Sequence, residues 1–394
     1  MDNLRPKLVS AWHALQDRVR EFRENRDDRR RHLIHRIGLR YLLVVPVLLA
    51  ILTATVLFVH SDVNVAMLFS QCHARARLPV LSRIPLLGAP SCFLVSFFQE
   101  ALALGSARAF TTMSVVLSFV ASLLTVSTVE AARICNGPSV LIAYPTGPWL
   151  VFNLMGGAMV WELLIIPAFF RRSQDIAAGK DAVDPEGEVV PATSNRHLTV
   201  VAEVVAIPVA VALGYVAPSL AMLFTAAPVA IAVWLFFPIY VSLIRQGVRF
   251  VIRHGVGIHN RTLYLESHTP SLFAVYAVPL ALSLISHGLV VYSLLTHQPD
   301  DRQEMTRSTL RFIEIDFFFI VLTVLYWILV EAGWRVVAVV LGASVVLGPG
   351  AGLCLGWIYR ERQLGLADGS DEEGEDGPEG DGAAVPGEET PLLR

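Results

Sequence analysis

The sequence predicts an all-α fold, a polytopic transmembrane helical bundle of about eight to nine spans. Three observations lead there. Hydrophobic residues make up 54% of the 394 residues and charged residues only 16%, against about 25% charged in an ordinary soluble domain. The mean hydropathy is +0.56. The apolar residues also fall in runs long enough to cross a hydrocarbon core, which takes ~20 helical residues.

The net charge of -3 hides a segregation, with basic residues crowded into the first 40 positions and acids into the last 27. In the N-terminal arm, 1–40, Leu8, Trp12, Leu15, Val19 and Phe22 step by four and three and so share a helix face, with Arg18, Arg20, Arg23 and Arg26 around it. That pattern suits a basic helix on an anionic membrane surface, or one packed on the protein's own loops. Arg29, Arg30, Arg31, Arg36 and Arg40 then flank the first apolar run. By the positive-inside rule they hold the N-terminus in the cytosol. That run starts near Tyr41, too far in for a cleavable signal peptide, and reads as a signal anchor.

Nine segments read as spans: 41–59, 86–104, 110–129, 148–170, 199–219, 226–244, 270–294, 312–331 and 336–357. The second carries Gln99 and Glu100 and reads also as a re-entrant or interfacial helix. Counting it puts Arg171, Arg172, Arg245, Arg249, Arg253 and Arg261 on the cytosolic side, but sends the C-terminus, with Arg360 and Arg362, to the lumen. Loop 171–197 is a polar, flexible linker, so the bundle runs over 41–363. The Gly-rich acidic tail, 364–394, cannot bury a core and is expected to be disordered. Its Glu388–Leu393 stretch fits an acidic dileucine sorting pattern, which needs a cytosolic tail. The sequon Asn260-Arg261-Thr262 falls on the cytosolic side, where it stays unused. No internal repeat is visible, which weakens an inverted-repeat transporter. The four cysteines lack metal-site spacing; Cys72 and Cys92 pair if their loop faces an oxidising lumen, and otherwise all four are free thiols.

The most informative feature is a set of acids within the apolar runs: Glu162, Glu203, Glu314, Asp316 and Glu331. A carboxylate in hydrocarbon is expensive, so each must face a cavity, pair, or stay protonated. Glu162 lies near mid-span and follows Gly156-Gly157 and Trp161. It reads either as a general acid or as half of a structural pair. In 312–331, Asp316, Thr323 and Trp327 share a face, with Glu331 about 60° away and Glu314 opposite. A desolvated acid beside an aromatic face suits proton donation with cation stabilisation; a snorkelling interfacial acid is the alternative. Tyr276, Ser283 and His287 lie within roughly 40° of one another on 270–294, as a cavity wall, a relay or helix–helix glue. Asn153 is a polar partner for another element, Glu203 marks a kink before Pro208, and Glu130 and Glu266 read as interfacial. Gly348-Pro349-Gly350-Ala351-Gly352 breaks the last span and suggests a cavity edge. Glu162 and Asp316 are thus the candidate catalytic acids, and Trp161, Trp327, Tyr276, His287 and Asn153 the candidate substrate-binding residues.

No nucleotide-binding, serine-hydrolase, metalloprotease or aspartate-rich metal motif is present, so no metal site is expected and metal-dependent diphosphate ionisation is disfavoured. Three stretches, PSCFLVSFFQEAL (90–102), FNLMGGAMVWELLIIPAFFRR (152–172) and GPGAGLCLGWIYRERQL (348–364), resemble fungal membrane-bound terpene cyclases of the ascofuranone and macrophorin type. The resemblance runs over roughly residues 84–364. It implies a lipid-embedded cyclase that protonates an epoxide or olefin on a farnesyl-type (meroterpenoid) chain, with no cofactor. The implied partners are a prenylated lipophilic small molecule and the bilayer, not nucleic acid; the implied location is the endoplasmic reticulum or another endomembrane. The alternatives are a transporter or exporter of a small hydrophobic metabolite, and a non-catalytic membrane protein whose tails act. The sequence leaves the oligomeric state open.

Overall fold

Apolar runs of this length must close their backbone hydrogen bonds internally, and helices do so. In the computed structural model the described residues are 37–60, 63, 65–68, 88–102, 106–178, 182–183, 189–190, 198, 201–255, 265, 268–296, 300 and 302–372. The basic arm before 37, Cys72, the 260–262 sequon, Glu266 and the tail beyond 372 lie outside them. Apart from the one-turn helix Val140–Ala143, the described α-helices are α1 (Leu39–His60), α2 (Gly88–Ala101), α3 (Ala107–Ala131), α4 (Thr146–Met155), α5 (Gly157–Val160), α6 (Ile166–Ala177), α7 (Glu203–Val211), α8 (Ala217–Thr225), α9 (Pro228–Leu235), α10 (Phe237–Gly255), α11 (Thr269–Leu295), α12 (Glu304–Ala332), α13 (Trp334–Leu347) and α14 (Pro349–Glu372). Single π-helical turns join α5 to α6 (Trp161–Ile165) and α7 to α8 (Ala212–Val216). The described strand pairing is a two-residue ladder, Ala182–Val183 against Val189–Val190, and one isolated bridge between Arg133 and Leu198.

The all-α fold is as expected; the span count is not reached. Among the described residues five helices are long and apolar enough to cross a bilayer: α1, α3, α7 with α8, α11 and α12. Taken together as one broken span, α9 and α10, bent by 60° at Phe236, make a sixth. The other three expected spans do not cross. Helix α2 has 14 residues, about 21 Å at 1.5 Å per residue, short of a core of about 30 Å. Segment 148–170 turns back on itself. Trp149 and Trp161 have ring centroids 6.2 Å apart, whereas twelve residues of straight helix would separate them by ~18 Å. The reversal is at Gly156, whose φ of 109° suits glycine. Segment 336–357 turns likewise at Gly348, φ 93°. A Cβ on Gly356 would lie 2.2 Å from the Val340 side chain, and one on Gly352 would lie 2.5 Å from the Val340 carbonyl, so α13 and α14 form a tight antiparallel hairpin. Periodicity could not reveal these reversals, because both arms of each hairpin are apolar.

Both hairpins open at one end of the bundle. There Gln174 donates to the Ile37 carbonyl (3.2 Å), Tyr326 to the Leu42 carbonyl (3.0 Å), and Arg172 to the Cys135 carbonyl. Glu203 sits at the start of α7 and is clamped by Arg245, with two bonds of 2.8 Å, and by Arg249 at 3.2 Å. Among the described residues this end carries Arg40, Arg133, Arg171, Arg172, Arg245, Arg249, Arg253, Arg335, Arg360 and Arg362, against Arg108, Arg302, Arg307 and Arg311 at the other. Six crossings therefore satisfy the positive-inside rule with the C-terminal helix back at the cytosolic end, which corrects the lumenal C-terminus that nine spans required. At the opposite end Asp300 gathers Arg302 (2.7 Å), Arg307 (3.3 Å) and Arg108 (3.5 Å). The hydrogen bonds from Arg302 hold its carboxyl well below the usual carboxylate range. Cys92, in α2, is disulfide-bonded, which fits an oxidising compartment at that end, while Cys135 and Cys354 are buried and outside any disulfide.

A buried ionic network locks both hairpins to the frame at the cytosolic end. Arg133 bonds Glu130 (3.2 Å) and Glu361 (2.5 Å); Arg360 bonds Glu130 (3.0 Å) and Glu361 (3.1 Å) and lies 3.9 Å from Glu331. Asn136 donates to Glu130 (3.1 Å), and Ser173 of the first hairpin to Glu331 (2.6 Å). Glu130 is only 4% exposed, so it is held within the protein: Arg133 and Asn136 bind it locally, and Arg360 reaches it from α14, 230 residues away.

Two outcomes follow. Tags fused at either terminus are expected to be equally accessible to protease added outside sealed microsomes; protection of one but not the other would sink the six-crossing topology. Replacing Arg133 by Leu removes one of the two arginines that Glu130 and Glu361 share and is expected to destabilise the protein by up to roughly 3–5 kcal/mol. Thermal melting in detergent reads this, with partial recovery in the Arg133→Leu, Glu361→Leu pair.

Candidate active site on the first re-entrant hairpin

The site grows from the reversal at Gly156. The residues just after it begin a helix and so leave backbone N–H groups without helical partners. Asp316 supplies the acceptors: its two carboxylate oxygens receive Gly157 N–H at 3.2 Å and Ala158 N–H at 3.0 Å. A side chain on Gly157 would collide with Phe152 at 2.6 Å and Ile320 at 2.7 Å, so glycine is required there for the tip to sit against α12. From the tip the returning arm runs alongside α12. Thr323 reaches Glu162 (3.4 Å), Trp327 stacks on Trp161 and Phe169 (6.0 and 4.5 Å), and Glu331 accepts from Ser173. The face of α12 that joins Asp316, Thr323 and Trp327 is thus the one against which the hairpin lies.

Glu162 occupies the π-helical turn, and both it and Trp161 are fully buried. Such turns insert one residue and re-aim the side chains around them. One carboxyl oxygen of Glu162, Oε1, accepts from Thr53 of α1 at 2.8 Å as well as from Thr323. The other, Oε2, is buried with no partner among the described residues, as is the neighbouring Trp161 Nε1. The two acids therefore have different bonding. Asp316 accepts on both oxygens from backbone N–H groups at a helix start, the pattern of an ionised carboxylate. Glu162 accepts on one oxygen only, which leaves the second to carry a proton.

Around them four buried tryptophans form a continuous run: Trp149 to Trp161 (6.2 Å), Trp161 to Trp327 (6.0 Å) and Trp327 to Trp357 (4.7 Å). Trp149 is anchored by its N–H to Ser127 (3.0 Å), and the Arg360 guanidinium lies 4.5 Å over Trp357. The aromatic side chains therefore form a packed path from Trp161, next to Glu162, to the ionic network.

The structure separates the remaining candidates. Trp161 and Trp327 stand beside Glu162. Asn153 lies on the outgoing arm and donates to the Leu235 carbonyl (3.0 Å), freed by the bend between α9 and α10; that bond is structural. Tyr276 is fully buried with no partner for its hydroxyl among the described residues, and it faces the Arg133–Glu361 pair rather than Glu162. His287 backs the tip of the second hairpin, where a Cβ on Gly348 would come within 3.0 Å of it. Ser283 pins that tip by accepting from Ala351 N–H at 2.7 Å. Glu314 is half-exposed near Arg302. Sequence reasoning missed Thr53, Arg133, Arg360 and Glu361. The last two stand in the 348–364 stretch, and charges inside an otherwise apolar run were the signal available.

No curated protein and no solved structure matches the chain. The CtvD domain matches residues 91–300, more than half of the chain. The matched region holds the first hairpin with Trp161 and Glu162, whereas Asp316, Trp327 and the second hairpin lie beyond it. The protein belongs to the CtvD domain family, a family of fungal secondary-metabolite biosynthesis.

Proposed function

We propose that this protein is an intramembrane cyclase, a metal-independent isomerase, that protonates an epoxide or olefin on a farnesyl-type chain and so starts ring closure. The observation that carries this reading is the free Oε2 of Glu162, deep in the bundle, beside unbroken indole surfaces and opposite a carboxylate held by backbone N–H groups. Glu162 donates its proton to the epoxide oxygen as the C–O bond breaks toward the more substituted carbon. The electron-deficient carbon is captured by a neighbouring double bond or oxygen. The proton lost when the final cation collapses returns to the Glu162 carboxylate, so substrate and product are isomers and the acid is reset.

The surroundings suit each step. Burial of an ordinary carboxyl among apolar groups favours its neutral, donating form. The faces of Trp161 and Trp327, with the Asp316 carboxylate, stabilise developing positive charge. A packed aromatic interior keeps water from quenching the cation. A substrate with a hydrocarbon tail reaches such a site from the bilayer, in an endomembrane where its prenylated precursor is made. The transporter reading gains no support: inverted repeats would bring hairpins in from opposite ends, and both reversals here open at the cytosolic end.

Membranes containing the Glu162→Gln protein, given a farnesyl-type terminal epoxide, are expected to lose at least 10²-fold in turnover, the typical contribution of a positioned general acid, with melting unchanged. Asp316→Asn replaces one acceptor with a donor facing a backbone N–H and is expected to lower both stability, by about 1–3 kcal/mol, and turnover. Full turnover by both variants would end the acid mechanism.

A further inference from the structure

Helix α1 lies outside the matched domain, yet it places a side chain on the acid. Thr53 is fully buried and donates to Glu162 Oε1 at 2.8 Å. A threonine inside a helix commonly returns its hydroxyl proton to a carbonyl one turn back. The buried Thr125, Thr128, Thr309 and Thr323 all do so, to Ala121 (2.8 Å), Leu124 (2.6 Å), Met305 (2.9 Å) and Phe319 (2.8 Å). Thr53 gives its proton to the carboxyl of the first hairpin instead.

The number of protons decides which contact governs the acid. A hydroxyl has one proton to donate. Thr323 has its closer acceptor in Phe319, at 2.8 Å, and approaches Glu162 only to 3.4 Å. Thr53 is therefore the principal donor to Oε1. A neutral carboxyl has one carbonyl oxygen, which accepts, and one hydroxyl oxygen, which carries the hydrogen. Donation from Thr53 favours Oε1 as the carbonyl oxygen. The hydrogen then sits on Oε2, which is buried with no partner among the described residues. Without that donor the roles can exchange. A hydrogen on Oε1 would find an acceptor in the lone pairs of Thr323, and Oε2 would have nothing to give.

The place of Thr53 is itself set by α12. Pro46 lacks an N–H, so the Leu42 carbonyl four residues earlier loses its helical donor. The Tyr326 hydroxyl of α12 replaces it at 3.0 Å. Leu42 and Thr53 belong to the same buried face of α1, with Pro46, Ala50 and Leu57. The bond at Leu42 thus holds that face toward the helix that bears Thr323, and Thr53 meets Glu162 about three turns further along.

We infer that Thr53 is a positioning residue, whose hydroxyl holds the Glu162 carboxyl so that Oε2 carries the proton. The use of that proton rests on the cyclase reading, but its placement is tested without turnover.

The test records infrared difference spectra of the full chain in nanodiscs and follows the protonated-carboxyl C=O band that Glu162→Gln removes. A carbonyl that accepts a hydrogen bond absorbs at lower wavenumber than a free one. Thr53→Val, nearly isosteric but without a donor, is expected to move the band to higher wavenumber, and Thr53→Ser to leave it where the unmodified protein has it. With a farnesyl-type terminal epoxide, Thr53→Val is expected to lower kcat roughly two- to tenfold, the weight of one ordinary hydrogen bond, and Thr53→Ser to restore it. A band unmoved by Thr53→Val would overturn the assignment. So would the absence of any protonated-carboxyl band lost in Glu162→Gln, or a Thr53→Ser protein that behaves like Thr53→Val. If Glu162→Gln turns over normally while the band still follows Thr53, the acid mechanism fails and the proton placement stands.

Discussion

The arrangement depends on one interaction: the Asp316 carboxylate receiving the two N–H groups at the tip of the first hairpin. A chain that reverses inside a hydrocarbon layer exposes backbone groups that water cannot satisfy there. An acid on a neighbouring crossing helix removes that penalty and fixes where the tip sits. The position of the tip sets the register of the returning arm against α12, and the register decides that Glu162 meets Thr323 while Trp161 meets Trp327. Without the tip, the π-helical turn has nothing to aim Glu162 inward.

The second hairpin solves the same problem with neutral groups. Ser283 satisfies Ala351 N–H, and small residues at Gly352 and Gly356 let α14 lie close on α13. Both hairpins are then closed at the cytosolic end by one ionic network, in which three carboxylates share two guanidiniums. Each charged group there has partners, while the carboxyl nearest the centre keeps a free oxygen. The network's charges are thus shared among several groups, whereas Glu162 keeps one buried oxygen with no partner among the described residues. Of the two π-helical turns, one carries Glu162 and the other carries the buried Tyr215.

The family match and the geometry converge on the same part of the chain by different routes. The CtvD domain spans the first hairpin and the α7–α10 wall, and the partner residues that give the hairpin its chemistry come from α1 and α12, outside that stretch. The three short strings that resemble membrane-bound terpene cyclases coincide with the three elements that do not cross: α2, the α4–α6 hairpin and the α13–α14 hairpin.

From the sequence alone, composition and run length established the all-α membrane class, and helical periodicity placed Asp316, Thr323 and Trp327 on one face, because both depend only on local order along the chain. The acids within apolar runs were legible as anomalies for the same reason. Their different fates were not. Glu130 and Glu203 became paired, Asp316 became a cap, and Glu162 was left with one free oxygen, according to partners brought from 42 to 230 positions away. The reversals at Gly156 and Gly348 were equally hidden, since an apolar run reads alike whether it crosses or returns. Tertiary structure decided those matters because a buried charge or a turned backbone is stable only where a distant segment supplies its hydrogen bonds.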